Sequence, residues 1–151
     1  LYGLVIYIRN CFFDWGWKKS RRFKTATISV GNITVGGTGK TPHTEYIIQL
    51  LQQQFKVAMV SRGYKRKSSG LQVATASSSS SQLGDEPYQV YRKYPQTLVV
   101  VEANRCKAID YIEEKYPSTE VVVLDDAFQH RYVDAGMPIL LIDYSRLITK
   151  D

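Results

Sequence analysis

The feature that most constrains this chain is a glycine-rich loop at residues 35–42, which has the sequence VGGTGKTP. An apolar, β-rich run, ATISVG, precedes the loop, and a segment with helical spacing of apolar residues, TEYIIQLLQQQ, follows it. Glycines between a strand and a helix let successive backbone N–H groups turn toward one anion, and the helix N-terminus adds the positive end of its dipole. The loop is therefore predicted to bind phosphate.

The loop departs from the commonest phosphate-binding (P-loop) pattern, G-x-x-x-x-G-K-[ST], because Thr34 stands where that pattern has its first glycine. It fits a shorter variant, G-G-x-G-K-[ST]. Lys40 would reach the β- and γ-phosphates of a nucleotide, and Thr41 would hold Mg²⁺. The alternative is a chance glycine turn, which the strand before the loop and the helix after it disfavour. The residues predicted to bind the nucleotide are Gly36, Gly37, Thr38, Gly39, Lys40 and Thr41.

The rest of the chain alternates between strand-like and helix-like segments. Apolar runs occur in KVAMVSRG, TLVVVE, TEVVVLDD and MPILLIDY, and helical patterns in DEPYQVYRKY and NRCKAIDYIEEKY. Strands that alternate with helices form right-handed crossovers, which produce a parallel sheet covered by helices on both faces. We predict a three-layer α/β domain of the P-loop NTPase type with a mostly parallel sheet. A serine-rich stretch, ATASSSSSQ, is predicted to be a mobile linker.

Carboxylates occur at two places where the predicted topology brings a ligand close. Asp125 and Asp126 end an apolar strand, and ligands of open α/β sheets bind at the carboxyl ends of strands. An aspartate there can hold Mg²⁺, through water, beside the P-loop threonine. The motif GDEP places Asp85 and Glu86 at the start of a predicted helix, where capping the helix is the commoner task of an aspartate. On the residues alone, capping is the favoured interpretation of Asp85.

Two polar segments follow strands on the same predicted side. SRGYKRK carries Arg62 and Lys65, and FQHR carries Gln129 and His130, near the place that a γ-phosphate would occupy. These four residues are candidate substrate contacts. The alternatives are a solvated basic loop for the first segment and a structural role for the histidine.

The formal net charge of +6 is concentrated in two patches. Residues 1–24 have a local net charge of +5, and a cluster at residues 62–67 adds +4, so the remainder is acidic. This distribution suits an anionic lipid, a phosphorylated ligand or a nucleic acid. We expect no nucleic-acid partner, because no aromatic-and-basic recognition motif accompanies the charge.

Residues 1–24 are predicted to form a separate unit, an amphipathic helix with a basic tail, ahead of a P-loop core domain at residues 25–151. The apolar stretch is too short to span a bilayer, since Arg9 and Asp14 interrupt it. A wide apolar face with tryptophans and a basic tail is typical of a helix that lies in a membrane interface. The alternative is a helix packed on its own domain or on further chain.

The set SVGNITVGGTGKTP, VSRGYKR, GDEP, VVVLDDAFQHR and LLIDYSRL, in this order, resembles the tetraacyldisaccharide 4′-kinase family over essentially the whole chain. The resemblance implies Mg²⁺- and ATP-dependent transfer of the γ-phosphoryl group to the 4′-hydroxyl of tetraacyldisaccharide 1-phosphate, a step of lipid A biosynthesis. It implies a peripheral protein at the cytoplasmic face of the bacterial inner membrane.

The resemblance also implies roles for particular residues. Asp85 matches the family's catalytic aspartate, which acts with a histidine, and Lys40 supplies positive charge. Glu86, Asp125 and Asp126 match the acidic groups around Mg²⁺. Family members are much longer, so we expect a smaller C-terminal domain beyond Asp151 that holds the partner histidine, and we expect the present piece to be inactive alone.

A protein of another class, a membrane-associated switch ATPase, can carry the same G-G-x-G-K-[ST] loop. Such proteins typically have a lysine just before the glycines, where this chain has Val35. The absence of that lysine and the presence of GDEP argue against this alternative.

Overall fold

A six-stranded sheet forms the centre of the domain in a computed structural model that describes residues 11–13, 15, 17, 19–32, 40–127 and 130–142. The strands are Ala26–Asn32 (β1), Val57–Ser61 (β2), Gln72–Val73 (β3), Leu98–Val101 (β4), Val121–Leu124 (β5) and Met137–Leu141 (β6). Their order across the sheet is β3-β4-β2-β5-β1-β6. Every neighbouring pair is parallel except β3 and β4. The predicted mostly parallel sheet is confirmed, although the short strand β3 was not predicted.

Helices cover both faces of this sheet. They are Lys40–Leu51 (α1), Ser80–Leu83 (α2), Asp85–Lys93 (α3) and Arg105–Lys115 (α4). One core cluster joins Ile48 of α1 and Val90 of α3 to alternate strand residues, and a second joins α4 to the other side of the same strands. Because β2 and β5 are covered on both faces, every one of their residues is buried, which explains their uninterrupted apolar sequences. The predicted three-layer α/β architecture is confirmed.

The topology brings the chain's polar motifs to one edge of the sheet. β2 ends at Ser61, β4 at Val101 and β5 at Leu124, and each is followed by a loop that carries charged residues. Because these strands are parallel, all three loops lie at the same edge, where α1 begins at Lys40. This is the edge at which α/β sheets bind ligands.

The serine-rich stretch is structured, so its prediction as a mobile linker is wrong. It forms a turn and then the short helix α2, and the hydroxyl of Thr75 lies 3.0 Å from that of Ser77 and 3.2 Å from that of Ser78. The Ser79 N–H donates to Gln82 Oε1 at 3.2 Å. Serine side chains bond readily to nearby backbone and hydroxyl groups, which here organise the turn in place of apolar packing.

The described residues of the N-terminal segment contact the rest of the domain through apolar and polar groups. Phe13, in a helical stretch at residues 11–13, is buried against the ring of Tyr132 with centroids 4.9 Å apart. The guanidinium of Arg21 donates two hydrogen bonds to the Asp110 carboxylate, at 2.7 and 2.6 Å. Residues 1–10 of the predicted N-terminal helix lie outside the described residues, and the predicted boundary after residue 24 stays a prediction. No helix in the described part of the chain has the length and hydrophobicity of a membrane span.

Candidate functional site

The start of α1 is joined to the end of β5 by two side-chain contacts. Lys40 Nζ lies 2.7 Å from Asp126 Oδ1, and Thr44 Oγ1 donates to Asp125 Oδ1 at 2.9 Å. Asp126 has a φ of +48°, in the left-handed region that aspartate tolerates better than most residues. The structure brings together Lys40, Asp125 and Asp126, and their roles in binding nucleotide and Mg²⁺ stay predictions. Gly36, Gly37, Thr38 and Gly39 lie outside the described residues, and Thr41 occupies the first turn of α1.

Asp125 is a buried carboxyl group in an acidic environment. Its side chain and backbone are only 2% exposed, and burial raises the pKa of Asp125 from 3.8 to about 6. The Thr44 hydrogen bond opposes this rise in pKa, whereas the nearby carboxylates of Glu86 and Asp126 add to it. Glu86, at the start of α3, is thus within range of electrostatic repulsion from Asp125. A cation at this point would relieve both the repulsion and the burial of charge.

The oxygen-rich character of the group suits Mg²⁺, which prefers carboxylate and hydroxyl ligands and keeps several of its waters. The predicted ligands are Thr41, Glu86, Asp125 and Asp126. Among the described residues, no three or more His, Cys, Asp or Glu side chains are close enough to form a ready-made metal site. Direct coordination by all the predicted acids is therefore not preformed, and contact through water fits the arrangement better.

Arg105, which was not among the predicted site residues, connects the loop after β4 to the loop after β5. It is 3% exposed and donates to the carbonyl oxygens of Glu102 at 3.1 Å, Ala103 at 3.2 Å and Asp125 at 3.3 Å. Burial lowers the pKa of Arg105, and the charge of Asp125 counteracts this effect. One signal was available, because an arginine in the first turn of a helix faces the positive end of the dipole and needs other acceptors.

The loops after β2 and before α3 touch through two glycines. Gly63 has a φ of +71° and Gly84 a φ of +92°. A Cβ atom on Gly84 would lie 3.0 Å from the carbonyl oxygen of Tyr64. The glycine of GDEP therefore permits a close backbone approach to the SRGYKRK loop. Gly84 is the N-cap of α3, and Asp85 is the first residue of that helix. The Asp85 side chain is exposed, and it does not cap the helix.

The remaining candidate residues are the four predicted substrate contacts. Arg62 and Lys65 are exposed, and Lys65 has a φ of +60°. Arg66 of the same loop is instead partly buried, with Nη1 3.4 Å from the carbonyl oxygen of Val101. His130 lines a cavity of about 210 Å³ and lies beside the Tyr132 ring, with centroids 5.6 Å apart. Gln129 lies outside the described residues, and all four substrate contacts stay predictions.

Gly63→Ala is expected to destabilise the protein by about 3–5 kcal/mol, and Gly70→Ala by only about 1–2 kcal/mol. Both glycines have a φ near +70°, which is strained for alanine. A Cβ on Gly63 would lie 2.3 Å from Val101 Cγ1 and 2.9 Å from the carbonyl oxygen of Leu83, whereas a Cβ on Gly70 meets nothing within 4 Å. Urea unfolding of both variants measures the difference. Equal losses of stability would show that the contact between the loops relaxes without cost.

Comparisons with known proteins identify the family that the chain resembles along its whole length. The sequence model of the family described as tetraacyldisaccharide-1-P 4′-kinase matches residues 1–151. The chain is 54% identical over 153 residues to the tetraacyldisaccharide 4′-kinase of Phocaeicola vulgatus and 53% identical over 152 residues to that of Bacteroides thetaiotaomicron. Each match covers 100% of this chain, with 42% and 40% of the respective relative. The chain thus spans about two fifths of the length of these curated relatives.

A solved structure shows the same fold. A crystal structure of LpxK from Aquifex aeolicus in complex with ATP superposes with a TM-score of 0.87 and 37% sequence identity. The match covers 97% of this chain and 49% of that chain. The likeness to this structure agrees with the P-loop NTPase-like arrangement of the sheet and of α1. The match of the family model to every residue decides the assignment: the chain belongs to the tetraacyldisaccharide-1-P 4′-kinase family.

Proposed function

We propose that the protein containing this chain is an ATP-dependent lipid kinase. It transfers the γ-phosphoryl group to the 4′-hydroxyl of tetraacyldisaccharide 1-phosphate in lipid A biosynthesis. The observation that carries the proposal is the meeting of Lys40, the Asp125–Asp126 pair and the start of α3 at one sheet edge, in a chain that belongs to this kinase family. Phosphoryl transfer needs mainly positioning and neutralisation of charge, which these groups are placed to provide.

ATP is the proposed phosphoryl donor, and the ATP complex of the related LpxK supports this choice. Lys40 Nζ lies 2.7 Å from Asp126 Oδ1, so its ammonium group is at the sheet edge where it can bind an anionic phosphate. Mg²⁺ is the proposed cofactor, held by Thr41 and by the acidic group of Glu86, Asp125 and Asp126. When bound, Mg²⁺ would neutralise negative charge on the phosphates.

Asp85 is the proposed general base. It lies on a helix rather than on a free loop, and its side chain is exposed. The glycine before it lies against the loop that carries Arg62 and Lys65. A base at this place would accept the proton of the attacking sugar hydroxyl. Arg62 or Lys65 is proposed to bind the 1-phosphate of the acceptor. Gln129 and His130 are proposed to contact the substrate.

The proposed location is the cytoplasmic face of the bacterial inner membrane, with the protein attached peripherally through the N-terminal segment. Trp15 and Trp17 are 68% and 77% exposed, and the ring of Phe12 is stacked on that of Trp17 with centroids 5.5 Å apart. Exposed tryptophans of this kind favour the interface between lipid and water. The buried Phe13 holds this aromatic cluster on the domain. The lipid acceptor and the membrane surface would then lie together.

The test is transfer of radiolabelled phosphate from ATP to two lipids by the full-length protein. One lipid is tetraacyldisaccharide 1-phosphate, and the matched control is the same lipid with its 4′-hydroxyl already phosphorylated. We expect label only in the first lipid, and none when residues 1–151 are assayed alone. Hydrolysis of ATP without labelling of either lipid would contradict the proposal and would favour the switch ATPase, the alternative that family membership disfavours.

A further inference from the structure

Glu45 is a buried carboxylate that the site described above does not use. It lies on α1, is 5% exposed, and accepts a hydrogen bond from Gln89 Nε2 at 2.6 Å. Its other carboxylate oxygen accepts from Lys93 Nζ. Gln89 and Lys93 are four residues apart on α3, so both belong to one face of that helix. Glu45 therefore connects α1 to α3 through two polar contacts on one carboxylate.

Core packing alone does not require a carboxylate at this place. α1 and α3 already share the apolar cluster that includes Ile48 and Val90. Burial of a charged group costs free energy that an ion pair often fails to recover, and apolar residues of similar volume usually stabilise a protein as well or better. Polar pairs fix one relative position of two helices more strictly than apolar contacts do, because their geometry is directional.

The connection lies one helical turn from the two functional helix ends. Glu45 follows Thr41 by four residues on α1, and Gln89 follows Asp85 by four residues on α3. The residue before Glu45 is Thr44, whose hydroxyl bonds to Asp125. Two adjacent residues of α1 thus tie this helix both to the end of β5 and to α3. Thr44 and Glu45 therefore join the three elements that form the site: α1 with its predicted phosphate-binding end, β5 with the acidic pair that follows it, and α3 with Asp85.

We propose that Glu45 is a positioning residue, which sets the distance between Asp85 and the phosphate-binding end of α1 through its contacts with Gln89 and Lys93. This inference rests on the proposed kinase function. Displacement of a reacting group by about 1 Å can lower a rate about a hundredfold, so a small shift of α3 relative to α1 would suffice to slow transfer. Glu45 itself acts through the helices and touches neither ATP nor the lipid.

The experiment uses the full-length protein with four single substitutions. Glu45→Gln removes the charge, Lys93→Met removes the partner, and Lys93→Arg keeps a cation there. Lys115→Met is the matched control, because Lys115 is also an exposed lysine in an ion pair, with Glu114 at 2.7 Å, but at the far end of α4. Steady-state kinetics give kcat and KM for ATP, and thermal unfolding gives the folded fraction.

We expect Glu45→Gln to lower kcat by about tenfold or more and Lys93→Met by about threefold or more, with KM for ATP within about twofold of wild type. Lys93→Arg should retain at least about half of kcat, and Lys115→Met should match wild type. A double variant, Glu45→Gln with Lys93→Met, should be no slower than Glu45→Gln alone, because both changes break one connection. This pattern would differ from a general loss of stability, which reduces the folded fraction without changing kcat per folded molecule.

A kcat within about twofold of wild type for folded Glu45→Gln would overturn the inference. If Glu45→Gln fails to fold, Lys93→Met decides, and wild-type kcat in that variant overturns it equally. Hydrogen exchange separates this outcome from failure of the proposed function. If wild type labels no lipid, the inference is judged by the Tyr88 amide, which donates to the Gly84 carbonyl oxygen at 3.2 Å. Faster exchange there in Lys93→Met than in Lys115→Met supports the inference, and equal exchange overturns it.

Discussion

Replacing Asp85 by asparagine is expected to lower kcat for lipid phosphorylation by about 10² to 10⁴, with little change in KM for ATP. Asparagine has the shape of aspartate and is equally acceptable near the start of a helix, but it cannot accept the proton of the sugar hydroxyl. The loss would therefore fall on the chemical step. The measurement is steady-state transfer of labelled phosphate to tetraacyldisaccharide 1-phosphate by the full-length protein.

The structure gives a reason to expect that Asp85→Asn leaves the fold intact. Gly84 occupies the N-cap position of α3, so the Asp85 side chain is not needed to cap the helix. Its place at the site is set by the backbone, through the close approach of Gly84 to the Tyr64 carbonyl and through burial of Pro87 in the first turn of α3. Substitution of the side chain alone changes neither of these contacts.

Glu114→Gln is the matched control, since it also replaces an exposed carboxylate by its amide, near the other end of α4 from the site. It should keep wild-type kcat. Retention of more than about a tenth of kcat by Asp85→Asn would contradict the role of Asp85 as the base. A lower melting temperature with unchanged kcat would instead restore the structural interpretation that the sequence alone favoured for this residue.

Most of the architecture and the main acidic groups could be predicted because they depend on local patterns. Alternating strands and helices imply a parallel sheet, and a parallel sheet brings the ends of its strands to one edge. Lys40 and Asp126 are 86 residues apart, yet the rule brings them to the same sheet edge, since one residue starts the helix after a strand and the other lies in the turn that follows a strand. No knowledge of side-chain packing is needed for this step.

The contacts of Thr44, Glu45 and Arg105 could not be predicted because they depend on which face of each helix meets the sheet. In α1 the apolar side chain of Leu50 is 50% exposed, although apolar residues at helical spacing normally mark the buried face of a helix. Thr44 and Ile48 are fully buried instead. Polar residues in a helix normally indicate the face exposed to solvent. A sequence pattern therefore places a buried polar side chain, such as one that bonds to polar groups at the sheet edge, on the exposed face.

Replacing Asp125 by asparagine is expected to raise the free energy of unfolding of the nucleotide-free protein by about 1–3 kcal/mol near neutral pH. Burial raises the pKa of Asp125 from 3.8 to about 6 in the folded protein. Between these two values the folded state holds more protons than the unfolded state, so stability falls as pH rises through this window. Above this pH window Asp125 is ionised and buried, which lowers the free energy of unfolding. The neutral asparagine does not lower it in this way.

The same substitution is expected to lower lipid phosphorylation strongly, because Asp125 is a proposed Mg²⁺ ligand. A residue that destabilises the empty protein and supports its activity is a common compromise at functional sites. Mg²⁺ with ATP should therefore raise the melting temperature of wild type more than that of Asp125→Asn, since a bound cation favours the ionised carboxylate. A buried amide left without a partner would reduce the gain in stability, which is why the lower limit of the expected range is small.

Urea unfolding at about pH 4 and about pH 7 tests the expectation, in wild type, Asp125→Asn and Asp134→Asn. Asp134 is an exposed aspartate, so its substitution controls for the loss of one negative charge. Other groups titrate in all three proteins, and the informative quantity is therefore the difference between variants in the change of stability with pH. Asp125→Asn should lose less stability, or gain more, than the other two proteins as the pH rises. A pH dependence equal to that of wild type would show that the folded protein holds Asp125 ionised without penalty, and the acidic group would then not depend on a cation for its stability.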